Sequence, residues 1–218
     1  MNRAERRRQR KKTENAAKKA KLVQSASSSP EKQDLTIQQA LNLAVQHHNA
    51  GRLPKAERMY QQILQAYPDQ PVALQLLGVI AHEAGQNDRA VDLITKALAV
   101  KPDYAEAHYN LGLALLELRR LDDAVASCRA ALTIKPDYAE AHNNLGCALV
   151  ELRRLDDAVA SYRRAVTIKP DYTGAHTNLG IALKKLGRPR EAIASYRRAL
   201  AIRPDYVEAL SNLGVALK

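Results

Sequence analysis

Residues 139–172 read AEAHNNLGCALVELRRLDDAVASYRRAVTIKPDY, and residues 105–138 read AEAHYNLGLALLELRRLDDAVASCRAALTIKPDY, so the two segments differ at only six of 34 positions. Their ending, Lys/Arg-Pro-Asp-Tyr, recurs at the same interval, with its prolines at Pro102, Pro136, Pro170 and Pro204. Steps of 34 residues give five units, 37–70, 71–104, 105–138, 139–172 and 173–206, and a half unit at 207–218. Such a fixed period predicts a repeat architecture that presents a long surface instead of enclosing a reaction.

Each unit reads as a pair of amphipathic helices. In the unit quoted first, apolar residues recur three or four positions apart in two runs, 141–152 and 155–166, which is the period of one helix face. Asp156 and Asp157 suit the first turn of the second helix, where negative charge is favourable. The second helix is expected to end before Pro170, because proline lacks an amide hydrogen and disfavours a helical residue before it. One such hairpin cannot bury its apolar faces alone, so neighbouring units are expected to stack.

These units resemble the tetratricopeptide repeat, a helix-turn-helix unit of 34 residues with the elements W-x2-L-G-x2-Y, A-x3-F and P. The matching residues are Leu145, Gly146, Ala158, Tyr162 and Pro170 in one unit, and Leu179, Gly180, Ala192, Tyr196 and Pro204 in the next. The tryptophan position holds alanine, leucine or histidine instead. The resemblance implies an all-α fold, a right-handed superhelical solenoid of such repeats. Within the family, the units are most similar to the repeats of O-linked N-acetylglucosamine transferases and Spindly-like proteins.

The N-terminal segment is of a different kind. Residues 1–22 contain ten lysines and arginines and two glutamates, a net charge of +8 out of +11 for the chain. A serine-rich stretch at residues 25–30 is typical of a flexible linker. We therefore predict a basic, flexible arm and linker at 1–34 and a repeat domain at 35–218. The most basic part of the arm comprises Arg6, Arg7, Arg8, Arg10, Lys11 and Lys12.

The arm has two open interpretations, a solvated tail or a binding segment for nucleic acid, ribosomes or an anionic lipid surface, since clustered cations neutralise phosphates. It lacks the apolar core of a secretory signal. No stretch of the chain approaches the roughly 20 apolar residues of a membrane span. We therefore expect a cytoplasmic protein without a membrane span.

The sequence predicts no catalytic site, cofactor or metal site. His108, His142 and His176 occupy one repeat position, and side chains on helices about 8–10 Å apart are poorly placed to share one zinc ion. These histidines are interpreted as substitutes for the packing tryptophan of the family. Cys128 and Cys147 stand where other units carry tyrosine or aliphatic residues, so we predict small buried side chains and no disulfide framework. The expected protein is not an enzyme.

The candidate binding site is the surface of the stacked first helices, which lines the concave groove in the family that the units resemble. Asparagine recurs there at one repeat position, at Asn42, Asn110, Asn144, Asn178 and Asn212. An asparagine amide can pair with the N–H and C=O groups of an extended peptide whatever its side chains; packing between helices is the alternative role. The predicted groove residues are Asn110, Asn144, Asn178, Asn212, Tyr109, Asn143, Glu117, Glu151 and Lys185.

Charge would add selectivity to this groove. Glutamates at Glu106, Glu117, Glu140 and Glu151 predict a negative middle, and Lys184 and Lys185 reverse the sign towards the C-terminus. An acidic groove beside a basic arm also predicts self-association, with the arm of one molecule lying in its own or a neighbour's groove. Deleting residues 1–22 would then change the size in solution at low salt but not at high salt.

We predict a protein interaction scaffold that binds polypeptide segments in the groove. The first alternative is the substrate-recognition region of an O-linked N-acetylglucosamine transferase whose catalytic domain lies elsewhere, which the unfinished unit at 207–218 would also fit. The second is a nucleic-acid-associated protein that acts through the arm. Other proteins or peptides are therefore the expected partners, and no cofactor is expected.

The turn after the first helix carries a local prediction. Glycine stands there at Gly51, Gly85 and Gly187, but arginine at Arg119 and Arg153. A left-handed backbone at this turn would cost a non-glycine residue about 1–2 kcal/mol. We expect Arg119→Gly to raise the melting temperature unless the arginine has a partner.

Overall fold

The computed structural model describes the backbone of residues 30–217 and the side chains of residues 36–217. Within this part the chain forms eleven α-helices and no strand. The helices are α1 (Pro30–Asn49), α2 (Leu53–Ala66), α3 (Pro71–Glu83), α4 (Asn87–Val100), α5 (Ala105–Glu117), α6 (Leu121–Ile134), α7 (Ala139–Glu151), α8 (Leu155–Ile168), α9 (Thr173–Lys185), α10 (Pro189–Ile202) and α11 (Val207–Ala216). The all-helical solenoid predicted from the sequence is confirmed. The predicted basic arm at 1–22 lies outside the described residues, and the domain boundary after residue 34 stays a prediction.

The described part of the chain divides into two compact units, the first ending at Met59 and the second beginning at Tyr60. In the described part of the first unit, Leu41, Ala44 and Ala56 are buried. The turn after α1 is closed by Arg52, whose Nε donates a hydrogen bond to Nδ1 of His47 at 2.8 Å.

The second unit stacks helix hairpins in sequence order. Helix α3 packs on α4, α5 on α6, α7 on α8 and α9 on α10, and each second helix packs on the next first helix. The first helices α3, α5, α7, α9 and α11 also contact one another in that order. They therefore form a continuous layer, which is the layer that carries the predicted groove residues.

The turn after each first helix is a left-handed cap. Gly85 and Gly187 have φ of 73° and 71°, and Arg119 and Arg153 adopt the same conformation with φ of 61° and 62°. The following amide closes the helix end, since N–H of residue 120 donates to the carbonyl of residue 115 at 2.9 Å, as in a Schellman motif. The left-handed geometry expected from the sequence is confirmed, including at both arginines.

Each hairpin is held by close contact between a glycine of the first helix and a side chain of the second. A Cβ atom on Gly146 would lie 2.5 Å from the ring of Tyr162, and one on Gly180 would lie 2.4 Å from the ring of Tyr196. In the unit before these, Cys128 faces the glycine and is fully buried. The prediction that Cys128 is a small buried residue is therefore confirmed.

Candidate functional site

A cleft of about 530 Å³ lies on the layer of first helices in the second unit. We call it the central cleft; it is lined by Leu113, Leu116, Glu117, Arg119, Asn144, Cys147, Val150, Glu151, Tyr162, Asn178, Ile181 and Lys185. These residues come from α5 and the turn after it, α7, α8 and α9. Three consecutive first helices therefore contribute to one concave surface.

Five of the nine predicted groove residues line the central cleft. They are Asn144, Asn178, Glu117, Glu151 and Lys185. The other four, Asn143, Asn110, Tyr109 and Asn212, do not line it. Asn212 is half-buried on α11 and its Nδ2 donates to the main-chain oxygen of Glu208 in the same helix at 2.9 Å.

The asparagine amides form a linked group instead of a row of equal sites. Nδ2 of Asn178 donates to Oδ1 of Asn143 at 3.0 Å, and Nδ2 of Asn143 donates to Oδ1 of Asn144 at 3.4 Å. Asn143 and Asn144 are each only 8% exposed. Nδ2 of Asn144 is buried and has no hydrogen-bond acceptor among the described residues. The group therefore ends in a buried amide nitrogen with unused N–H donors, on a residue that also lines the cleft.

Tyr109 belongs to the packing beside this group. Its ring lies 4.9 Å from the ring of Tyr138, tilted by 36°. Burial raises the pKa of the Tyr109 hydroxyl, and the neighbouring Asn144 side chain opposes part of this shift. The hydroxyl is consequently neutral near pH 7.

Cys147 contributes a sulfur atom to the cleft. The hydroxyl of Tyr162 donates to its Sγ at 3.4 Å, and Nδ2 of Asn178 lies 3.7 Å from the same atom. Burial raises the pKa of the Cys147 thiol, against the lowering effect of the hydrogen bond from Tyr162, so the sulfur is protonated at neutral pH. The residue is half-buried, unlike Cys128, and so belongs to the cleft as well as to the core that the sequence predicted.

The apolar lining of the cleft was missed by the sequence analysis, although its signal is present. Leu113, Cys147 and Ile181 each follow an asparagine of the row by three residues, which places them on the same helix face. They line the central cleft together with Leu116 and Val150. The cleft thus combines amide groups with an apolar surface.

The charged residues of the cleft differ in their partners. Nη1 of Arg119 forms an ion pair with Oε2 of Glu151 at 2.7 Å. Within the described part of the chain, Glu117 and Lys185 make no ion pair. The groove is therefore not uniformly acidic in its middle, because one of its two carboxylates is neutralised.

Two other glutamates predicted to set the charge of the groove lie outside the cleft lining. Oε1 of Glu140 accepts a hydrogen bond from Nζ of Lys169 at 3.0 Å, and Glu106 lies 3.8 Å from Nζ of Lys135. Burial raises the pKa of the Glu140 carboxyl, but the Lys169 hydrogen bond and charge outweigh it and lower the pKa below its usual value. Both glutamates thus pair with the lysine that precedes the next proline.

The histidines at the tryptophan position hold the turn that precedes their own helix. Nε2 of His108, His142 and His176 lies 2.9, 3.0 and 3.0 Å from the carbonyl oxygens of Pro102, Pro136 and Pro170. This hydrogen bond adds to the packing role predicted from the sequence. No group of three or more potential metal ligands occurs among residues with described side chains.

Across the described helices, none has both the length and the apolar character needed to cross a membrane. The predicted binding residues of the basic arm, within 1–22, lie outside the described residues.

Family models described as tetratricopeptide repeat match residues 41–99, 76–139 and 174–206, and one described as TPR repeat matches residues 148–187. Comparison with curated protein sequences gave no match.

Several solved structures share the fold. MamA is 25% identical, with a TM-score of 0.67 over 74% of this chain and 94% of that protein. TTC0263 from Thermus thermophilus, described as a thermophilic TPR protein, is 26% identical, with a TM-score of 0.66 over 83% and 98%. YrrB, described as a TPR protein with an unusual peptide-binding site, is 22% identical, with a TM-score of 0.67 over 79% and 89%. The likeness to YrrB concerns the fold alone.

Proposed function

Because the chain belongs to the tetratricopeptide repeat family, we propose that it is a non-enzymatic interaction scaffold that binds extended polypeptide segments in the central cleft. The family fold supports the general role, and YrrB is an example of this fold with a peptide-binding site. The finer claim, that the cleft residues hold the peptide, depends on one observation. Nδ2 of Asn144 is a buried donor without an acceptor in the described part of the chain, and it belongs to a residue that lines the cleft.

A peptide main chain supplies what this donor lacks. Leaving a buried N–H group unpaired costs about 1–3 kcal/mol, so a ligand carbonyl that accepts from Asn144, once its side chain turns the amide towards the cleft, recovers free energy that the free protein loses. The amide of Asn178 lies on the next first helix, one repeat along the cleft. Amide groups bind main-chain atoms, which every peptide offers at regular spacing.

The rest of the cleft suits side chains of moderate size. Its volume of about 530 Å³ falls within the range of about 300–1,000 Å³ seen for ligand pockets. Leu113, Leu116, Val150 and Ile181 provide apolar surface, and Glu117 and Lys185 provide charge at the rim. We infer that affinity comes from the amides and the apolar wall together.

A peptide array of varied extended sequences tests the proposal. The purified wild-type chain is expected to bind a subset of the array, and the double variant Asn144→Ala/Asn178→Ala is expected to lose most of the signal for every bound sequence. Asn212→Ala is the matched control, since Asn212 has the same repeat position but bonds its own helix outside the cleft. Binding that survives the double variant, or that Asn212→Ala lowers equally, would refute the role of the cleft.

Two alternative functions stay predictions. The asparagine row favours the substrate-recognition region of a glycosyltransferase resembling the O-linked N-acetylglucosamine enzymes, and an open reading frame that continues into a catalytic domain would test it. The net charge of +8 in residues 1–22 favours binding of nucleic acid or an anionic surface. Purified wild-type chain that carries RNA or DNA, and loses it when residues 1–22 are deleted, would support that role.

Self-association and a cytoplasmic location are also predictions. Deleting residues 1–22 and measuring the solution size by light scattering tests the first, since salt screens any contact of the basic arm with Glu117, the cleft carboxylate that makes no ion pair among the described residues. An unchanged size at both low and high salt would contradict it.

A further inference from the structure

Three charged residues occupy the same repeat position at the ends of successive first helices. Glu117 ends α5, Glu151 ends α7 and Lys185 ends α9, and all three line the central cleft. Glu151 forms the ion pair with Arg119 at 2.7 Å. The part of the chain that the structure describes offers no ion-pair partner to either Glu117 or Lys185. Along one edge of the cleft the charge therefore runs from a free anion through a neutralised carboxylate to a free cation.

The turn residue of the preceding repeat explains this gradient. Arg119 has a left-handed backbone after α5 and its side chain pairs with the residue 32 positions later, Glu151. The turn residue 32 positions before Glu117 is Gly85, which has no side chain to form such a pair. The equivalent residue for Lys185 is Arg153, which has the same backbone conformation as Arg119 but carries the same charge as Lys185. Arg119 therefore finds a carboxylate in the following repeat, whereas Arg153 finds a lysine at the corresponding position.

The spacing of the two free charges sets the register of a ligand. Neighbouring packed helices lie about 8–10 Å apart, so two repeats separate Glu117 and Lys185 by about 16–20 Å. An extended chain covers about 3.3–3.6 Å per residue, which places the two interacting side chains about five or six residues apart. Asn144 lies on α7, between the two helices that carry these charges, and Asn178 lies on α9, seven residues before Lys185.

We propose that the central cleft selects extended peptides of a fixed charge order, with a basic side chain at the Glu117 end and an acidic side chain at the Lys185 end. This inference rests on the proposed function. The acidic side chain takes the place beside Arg153 and Lys185 that Glu151 takes beside Arg119. A uniformly basic segment would place positive charge beside Arg153 and Lys185. A uniformly acidic segment would place negative charge beside Glu117. Both are therefore disfavoured.

An array of charge-ordered peptides tests the proposal. Each peptide of about nine residues, a length that spans the cleft, carries one lysine and one aspartate in an alanine and serine background. Every separation and both orders are included, beside all-lysine and all-aspartate versions. The wild-type chain is expected to prefer one order at a separation of about five or six residues. Each exposed charge pair should contribute a preference of about two- to fivefold.

The double variant Glu117→Lys/Lys185→Glu reverses the charges of the cleft while keeping the net charge of the chain. It is expected to prefer the opposite order at the same separation. Glu117→Lys/Arg190→Glu is the matched control for the basic end, because Arg190 is an exposed residue of α10 outside the cleft. Because it has a cation at each end of the cleft, this control is expected to favour an aspartate at both ends and to bind the all-aspartate peptides better than either charge order.

The outcomes separate the two proposals. Binding that requires Asn144 and Asn178 but shows no preferred order, or the same order in the wild type and the reversed variant, overturns the charge-order proposal alone. Preferential binding of the all-lysine peptides also overturns it. If no peptide binds, or binding ignores the asparagines, the proposed function fails and the charge order fails with it.

Discussion

Residues 105–138 and 139–172 share 28 of 34 positions and form the same helix pair, α5 with α6 and α7 with α8, but they build different parts of the cleft. Where the first has Tyr109 packed against a neighbouring ring, the second has Asn143 in the amide group. Where the first has Cys128 in the core, the second has Tyr162, whose hydroxyl reaches the sulfur of Cys147. The shared positions therefore set the backbone, and a few of the unshared ones set the binding surface.

The comparison extends to a segment that the two units share completely. Residues 118–123 and 152–157 both read LRRLDD, and the first arginine of each is left-handed. Arg119 has Glu151 as its partner, whereas Arg153 would face Lys185 at the equivalent place. The two arginines thus contribute differently to stability, because the following repeat offers Glu151 to Arg119 and Lys185 to Arg153.

The largest expected difference lies at the glycines of the two hairpins. Gly146→Ala should destabilise the chain by about 1–3 kcal/mol, because the added Cβ meets the buried Tyr162 ring at 2.5 Å. Gly112→Ala should cost less, since the one close contact of its Cβ is with the Sγ of Cys128, at 2.9 Å, and its other neighbours lie at 3.6 Å or more. Urea denaturation of both variants measures the difference. Gly214→Ala is the control, as nothing lies within 4 Å of its Cβ, and it should stabilise the chain by up to about 1 kcal/mol. Equal losses at Gly112 and Gly146 would contradict the packing difference.

An effect of intermediate size is expected at the core tyrosine hydroxyls, where Tyr162 is compared with Tyr196 of the next unit. Tyr162→Phe removes the hydrogen bond to Cys147 and should cost about 1 kcal/mol. Tyr196→Phe should leave stability unchanged or raise it, because the Tyr196 hydroxyl is buried without a hydrogen-bond partner in the described part of the chain. Denaturation midpoints in urea decide the sign for each. A larger loss for Tyr196→Phe than for Tyr162→Phe would show that this description of the two hydroxyls is wrong.

The smallest difference is expected between the two left-handed arginines. Replacing a left-handed arginine by glycine removes backbone strain and should stabilise the folded chain by about 1–2 kcal/mol. The greater freedom of glycine in the unfolded chain opposes this by about 0.5–1 kcal/mol. Arg153→Gly should therefore raise the melting temperature modestly. Arg119→Gly also loses an exposed ion pair worth about 0.2–1 kcal/mol and should gain less. Calorimetry at low and high salt checks both, since salt screens the ion pair and brings the two variants together. A gain for Arg119→Gly that matches Arg153→Gly at low salt would exclude any contribution from Glu151.

The period of the sequence was sufficient to predict the helix pairs, the place where each second helix ends and the left-handed turn. These features depend on residues that recur from unit to unit, such as Pro170 before its turn and the helix glycine at Gly146, which only the first unit replaces, by Ala44. The buried position of Cys128 followed in the same way, from the tyrosine that replaces it in other units.

The detail of the cleft could not be predicted from the period. The row of asparagines suggested equal sites, but Asn143 exists in only one unit and links Asn178 to Asn144. Likewise, Arg119 reaches Glu151 on the next first helix. The contacts of Asn178 with Asn143 and of Arg119 with Glu151 join residues more than 30 positions apart. Each depends on a side chain that differs from unit to unit and that the repeat pattern does not specify.

The near identity of residues 105–138 and 139–172 gives the stack a route to new specificity. Loss of residues 139–172 by recombination between the two copies would keep the reading frame and join α6 to α9 through the same Lys-Pro-Asp-Tyr turn. The shortened array would retain its helix register but lose Asn143, Asn144 and Glu151 together. Arg119 would then stand opposite Lys185, so one deletion would turn a balanced edge of the cleft into a cationic one.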